Sequence, residues 1–242
     1  MSGHSKWAQI KRQKGAADAK RSNLFSKLSK SISVAARQGK DLSSNMRLKM
    51  AVEMAKSANM PHDNIERAIK RGAGELEGQI IEEVVYEGFG PGGVALVIRA
   101  LTDNRNRTIG DLRSLLIKHG GHLGQANSVL RLFDLTGVVR VDRSESLTPH
   151  NVEALELALI DAGADDVQEG ADGLTVLAPP ETLSKIEEVI RSKNLTVAAS
   201  SIDYVPKTPV AVEPNQKTSL ETLLEELNSL DDVDEIFTNV EN

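Results

Sequence analysis

The sequence predicts an α+β protein with an N-terminal three-helix domain plus two α/β domains, one ferredoxin-like and inserted into the other. Three observations predict it. Apolar residues recur at helical spacing through residues 17–72 and then give way to alternating, β-rich runs. From Gly137 to Val205 the pattern runs β-α-β-β-α-β, the split arrangement of ferredoxin-like units. The charge divides at the same boundary. Residues 1–76 hold 16 Lys+Arg against 6 Asp+Glu, a net of +10, and residues 77–242 hold 13 against 29, a net of −16. An acidic body carrying a basic N-terminal module is the electrostatic pattern of a polyanion binder.

In the first helix, about Ala17 to Gln38, Leu24, Leu28, Ile32 and Ala35 form the apolar stripe, and Gly39 stands at the C-terminal cap position. Lys20, Lys27, Lys30 and Arg37 gather on the side facing away, which reads as an open positive face. Charge reversal there should therefore cost little stability. Arg21 projects within the apolar sector and is expected to snorkel or pair. A second helix, about Asn45 to Ala58, follows a cap at Ser44 or Asn45. A third starts at Pro61 as its first helical residue, uses Ile65, Ala68 and Ile69, and stops at Gly72. Residues 1–16 lack periodicity and read as an arm, flexible when unbound.

Beyond a glycine-containing hinge, IIEEVVYEG and VALVIRAL read as strands joined by FGPGG. A helix from about Arg105 to Lys118, the strand SVLRLF, the ferredoxin-like unit, a proline-rich crossover, a helix from about Ser219 to Leu230 and a strand DEIFTNV complete the chain. The half-sheet of residues 79–134 has one helix, so the C-terminal helix and strand should return to complete it. The expected domains are thus 1–76, 79–134 with 207–242, and the inserted 135–206. Deleting the first should leave a folded remainder.

Composition narrows the function. The chain has no Cys, so disulfides, thiolate metal sites and a Cys nucleophile are excluded. No apolar run is long enough to span a membrane, and the start lacks the apolar core of a secretory signal. A transit peptide is the rival reading of the basic start. The five His residues, His4, His62, His119, His122 and His150, form no metal signature; HGGH reads as a helix-ending turn. A Ser-Gly-His terminus, if Met1 is removed, is able to wrap Cu(II) or Ni(II), an incidental capability. No nucleophile elbow or triad spacing is evident, so no catalytic residue, cofactor or metal is expected.

The strongest local signal is at the N-terminus. Lys6, Lys11, Arg12, Lys14, Lys20 and Arg21 supply cations, and Trp7 among them either stacks on a base or fills a groove of the bundle. Lys27, Lys30 and Arg37 extend the row along the first helix. In TDNRNRT, Asp103 or Asn104 caps a helix, or else Arg105 and Arg107 act as phosphate-binding forks beside its amides. Gly90, Pro91, Gly92 and Gly93 make either a tight hairpin loop or a recognition loop needing close backbone approach; no Lys-Ser/Thr follows, so this is no nucleotide-binding loop.

GHSKWAQIKRQKGAADAKRSNLFSKL, NMPHDNIERAIKRG, YEGFGPGGVAL and LTDNRNRT together resemble the YebC/PmpR family, whose mitochondrial relative is the translational activator of cytochrome c oxidase subunit I. The match runs from Gly3 to about residue 240 with the motifs in the family's order. The resemblance implies three domains, one inserted into another, a bacterial cytoplasmic protein with no leader, and a regulator of gene expression. Members are described as transcriptional regulators that bind DNA, while others are implicated in translation at ribosomes stalled on proline-rich sequences. The expected partner is nucleic acid, ribosomal RNA or DNA, with the ribosome as the larger target, no membrane, and a monomer or weak oligomer as the acting species. A protein adaptor is the rival from another class, and a hydrolase hidden in the α/β domains the third.

Overall fold

The computed structural model describes residues 18–143, 149–170 and 172–241, with side chains from Arg21 onward except at residues 144–151. Three helices open the described chain: α1 (Asp18–Ala36), α2 (Met46–Ser57) and α3 (His62–Gly72). They share a core of Leu28, Ile32, Leu48, Val52, Ala55, Ile65 and Ala68, the stripes that helical spacing picks out. Asn45 fixes two helix ends at once. Its Oδ1 accepts from Leu48 N at 3.0 Å, capping α2, while its Nδ2 donates to the carbonyls of Ala35 and Gly39 at 2.8 and 2.7 Å, closing the end of α1. Pro61 is the cap of α3 and not its first turn, with extended ψ of 139°.

Gly72 does more than end α3. A Cβ there would overlap the Ser33 carbonyl oxygen, so only glycine lets α3 lie this close to α1. Ser33 Oγ donates to Ala68 O at 2.9 Å across the same contact.

Next come β1 (Glu82–Phe89), β2 (Ala95–Thr102), α4 (Arg105–Lys118) and β3 (His122–Leu123); α7 (Pro214–Ser229) and β8 (Val233–Thr238) return from the C-terminus. The sheet order is β3-β1-β2-β8 with antiparallel neighbours, so the returning strand completes the half-sheet as expected. One face packs Leu96, Ile98, Val233 and Ile236 against Leu112 and Leu116 of α4 and Leu220, Leu223, Leu224 and Leu227 of α7. The opposite face carries the alternate residues Val97, Leu101 and Phe237, also buried; Val97 and Phe237 share a register row with Glu87, and α1 contacts β2 and β8. Arg47 of α2 pairs with Glu83 on that face, and Arg99 pairs with Asp234 and Glu235.

The expected strand SVLRLF is instead a loop and a short 3-10 turn, Leu130–Leu132, with β4 starting at Phe133. The buried Glu87 carboxylate causes this by accepting from Asn127 N, Val129 N and Leu130 N at 2.6, 2.6 and 2.8 Å, amides a ladder would otherwise use. β4 (Phe133–Asp142), α5 (Pro149–Asp161), β5 (Asp166–Gly170), β6 (Gly173–Ala178), α6 (Leu183–Ser192) and β7 (Val197–Pro206) make the second sheet, ordered β5-β6-β4-β7. Residues 134–205 form one compact unit; the bundle and the first sheet together form the other. Among the described residues no helix is long and apolar enough to cross a membrane.

Candidate nucleic-acid interface

Part of the face of α1 that reads as open and positive is occupied, at Lys27 and Lys30. Lys27 is 4% exposed, and its Nζ donates to Asn228 O at 2.5 Å. Lys30 Nζ donates to Asp231 O and to Asp232 Oδ1, both at 2.9 Å, and Asn23 Nδ2 donates to Ser229 O at 2.9 Å. Apart from the Asp232 carboxylate, these acceptors are the last carbonyls of α7 and a carbonyl of the turn into β8. A helix C-terminus leaves such groups unsatisfied and carries partial negative charge, which suits ammonium groups. Lys27 and Lys30 are therefore spent on docking α1 to the acidic body. Sequence periodicity locates the bundle core but cannot show that the other side of α1 meets a second surface.

Arg105 and Arg107 are likewise paired. Asn104 is the cap of α4, accepting from Asn106 N and Arg107 N at 3.1 Å each, so those amides are already filled. Arg105 Nε donates to Glu82 Oε2 at 2.7 Å. Arg107 Nη2 reaches Asp103 Oδ1 at 2.8 Å and Asp232 Oδ2 at 2.7 Å. Asp232 is the hub: the same Oδ2 accepts from Thr108 Oγ1 at 2.9 Å and Thr102 Oγ1 at 3.2 Å. Burial alone would push this carboxyl's pKa up, but the bonds from Lys30, Arg107 and Thr108 outweigh it and hold the group below its ordinary range. The Arg107 pKa is raised in turn by its bonds to Asp232 and Asp103. A cleft of about 260 Å³ lies over this cluster, lined by Lys30, Asp103, Arg107, Asp111 and Asp232 among others. Its carboxylates disfavour a phosphate, so TDNRNRT reads as a structural hub that ties α4, β2 and α1 to the turn before β8.

Gly90 and Pro91 are buried, with Gly90 against Leu220, Leu96 and Leu223. Gly92 has φ 72° and would bring a Cβ to 2.9 Å from Gln216 Oε1, so glycine is needed for a turn packed on α7. Only Gly92 and Gly93 face solvent. In HGGH, His119 caps α4 while His122 opens β3 and stacks on Phe89 at 5.2 Å. Among the described residues no His, Cys, Asp and Glu cluster able to hold a metal is present.

Two family models cover almost the whole chain. "TACO1/YebC protein N-terminal domain" matches residues 5–75, and "TACO1/YebC second and third domain" matches residues 81–240. This chain belongs to the TACO1/YebC family. Relatives from Kosmotoga olearia and Thermotoga maritima, each named a probable transcriptional regulatory protein, are 46% and 45% identical over 242 residues, covering 100% of this chain and 94% of each relative. A crystal structure of a conserved hypothetical protein from Aquifex aeolicus superposes with a TM-score of 0.85 at 42% identity, covering 98% of this chain and 97% of that one.

Within the family's N-terminal domain, Lys6, Trp7, Lys11, Arg12 and Lys14 lie outside the described residues, as does the side chain of Lys20. Arg21 is exposed and sits 5.5 Å over the Phe25 ring, which answers its place in the apolar sector. Arg37 is exposed and donates to Ile81 O at 3.1 Å. A further group escapes the sequence reading. Arg67, Lys70 and Arg71 of α3 are all exposed and make no ion pair among the described residues, as is also true of Lys56. The signal was present in IERAIKRG, where apolar and basic residues alternate at helical spacing, but the dense N-terminal tract outweighs it in composition.

Proposed function

We propose that the protein is a non-enzymatic, nucleic-acid-binding regulator of gene expression that works in the cytoplasm, as a monomer or weak oligomer, on ribosomes stalled at proline-rich sequences. One observation carries the reading. Arg99, Arg105, Arg107 and Lys118 of the α/β body are matched by carboxylates, whereas Arg67, Lys70 and Arg71, three exposed cations within five residues of α3 in the bundle, have no ion-pair partner among the described residues. The bundle continues N-terminally into residues 1–16, which contain four Lys or Arg and no acid. Positive charge that the fold does not neutralise is available to phosphate, while the acidic body repels it and sets orientation.

Ribosomal RNA suits this arrangement because it presents dense phosphate without requiring base readout. Ribosome profiling of a deletion strain, beside genome-wide DNA occupancy, tests the reading; pausing at consecutive prolines should rise. Unchanged pausing with sharp occupancy at a shared DNA sequence would establish the second reading, a DNA-binding transcriptional regulator. The names carried by the relatives from Kosmotoga olearia and Thermotoga maritima favour that second reading.

A further inference from the structure

We infer that the outward face of α3, formed by Arg67, Lys70 and Arg71, is a rigid grip for the phosphates of an RNA backbone; this rests on the nucleic-acid reading above. At about 100° per residue the three cations fall within about 100° of arc, opposite Ile65, Ala68 and Ile69. Those apolar residues face the bundle core, with Ile65 at 4% and Ala68 at 2% exposure. Burial of one side therefore dictates that the cations point outward.

The helix that carries them is held without slack. Gly72 lies against the Ser33 carbonyl, and Ser33 Oγ bonds Ala68 O at 2.9 Å, so both ends of the stripe are fixed on α1. Fixed cations lose less freedom on binding than cations on a loose segment. Of the nearby acids two are engaged, while Asp63, in the first turn of α3 and four residues before Arg67, is exposed on the same side. Glu66 lies 3.5 Å from His62 Nδ1, and Glu75 is bound by Lys40 at 2.5 Å although it remains within electrostatic reach of Lys70. The stripe offers two guanidinium forks and one ammonium but no amide or aromatic group for a base edge, so it contacts backbone.

The test is fluorescence anisotropy of the full chain on a labelled RNA stem-loop across a series of KCl concentrations, with a DNA hairpin of the same sequence beside it. The triple variant Arg67→Gln, Lys70→Gln, Arg71→Gln should lose tenfold or more, roughly, at low salt and bind with a log–log salt slope shallower by about 2 to 3. Arg67→Gln and Arg71→Gln alone should each flatten it by about 1. The exposed pair Lys185→Gln, Lys193→Gln, on α6 and at its C-terminal cap, should change neither. If the wild-type chain binds and the triple variant matches it in affinity and slope, the stripe is not the grip and the functional reading survives. Absence of RNA binding by the wild-type chain overturns both. Tighter binding of the DNA hairpin, lost in the same variant, overturns RNA as the occupant.

Discussion

Asp232 shows how one carboxylate can organise several elements. It joins Lys30 of α1, Arg107 and Thr108 of α4 and Thr102 of β2, and its side chain is 8% exposed. Asp232→Ala should leave a buried cluster of donors without their acceptor and cost roughly 2 to 4 kcal/mol in a urea unfolding titration. Because the folded pKa is depressed below its ordinary 3.8, the group's contribution is fully present above that value and is lost as pH falls through the folded pKa. The wild-type melting temperature should therefore drop more steeply below about pH 4 than that of Asp232→Asn. Nothing in SLDDVDEIF marks this Asp among its acidic neighbours. Arg107 and Thr108, by contrast, stand out in TDNRNRT, and their density has a structural explanation in the Asp232 cluster.

At the scale of elements, the amphipathic stripes of α1, α2 and α3 are legible because burial by a neighbour imposes a period of 3.6. The use of α1's other side is not. Lys27 and Lys30 look like solvent-facing cations until α7 and the turn before β8, some two hundred residues later, supply their acceptors. Lys27→Glu with Lys30→Glu should consequently destabilise, by about 2 to 5 kcal/mol, since it sets two carboxylates against the carbonyl end of α7 and Asp232. A thermal melt that matches wild type would contradict the docking of α1. Gly72→Ala should cost about 1 to 3 kcal/mol, because α3 must move off Ser33 to admit a methyl group. The strand missed at SVLRLF has the same origin: it is Glu87, forty residues away, that claims the amides.

For the whole molecule, the opposed charges of the two halves have an internal use as well as an external one. Part of the basic half neutralises the acidic body, and its helix α1 packs on β2 and β8. Removing residues 1–76 should therefore expose apolar surface, so the remainder should aggregate or melt early where the sequence suggested it would stand alone. Binding of nucleic acid has to be tested on the full chain. The most direct measurement is the salt dependence of its affinity for purified large ribosomal subunits, set beside a random-sequence DNA duplex at equal salt. If the bundle stripe and the N-terminal cations contact backbone, the subunit should be bound more tightly, with a log–log slope of about −4 to −6. Affinity for the subunit that is absent, or that holds constant as salt rises, would contradict the account.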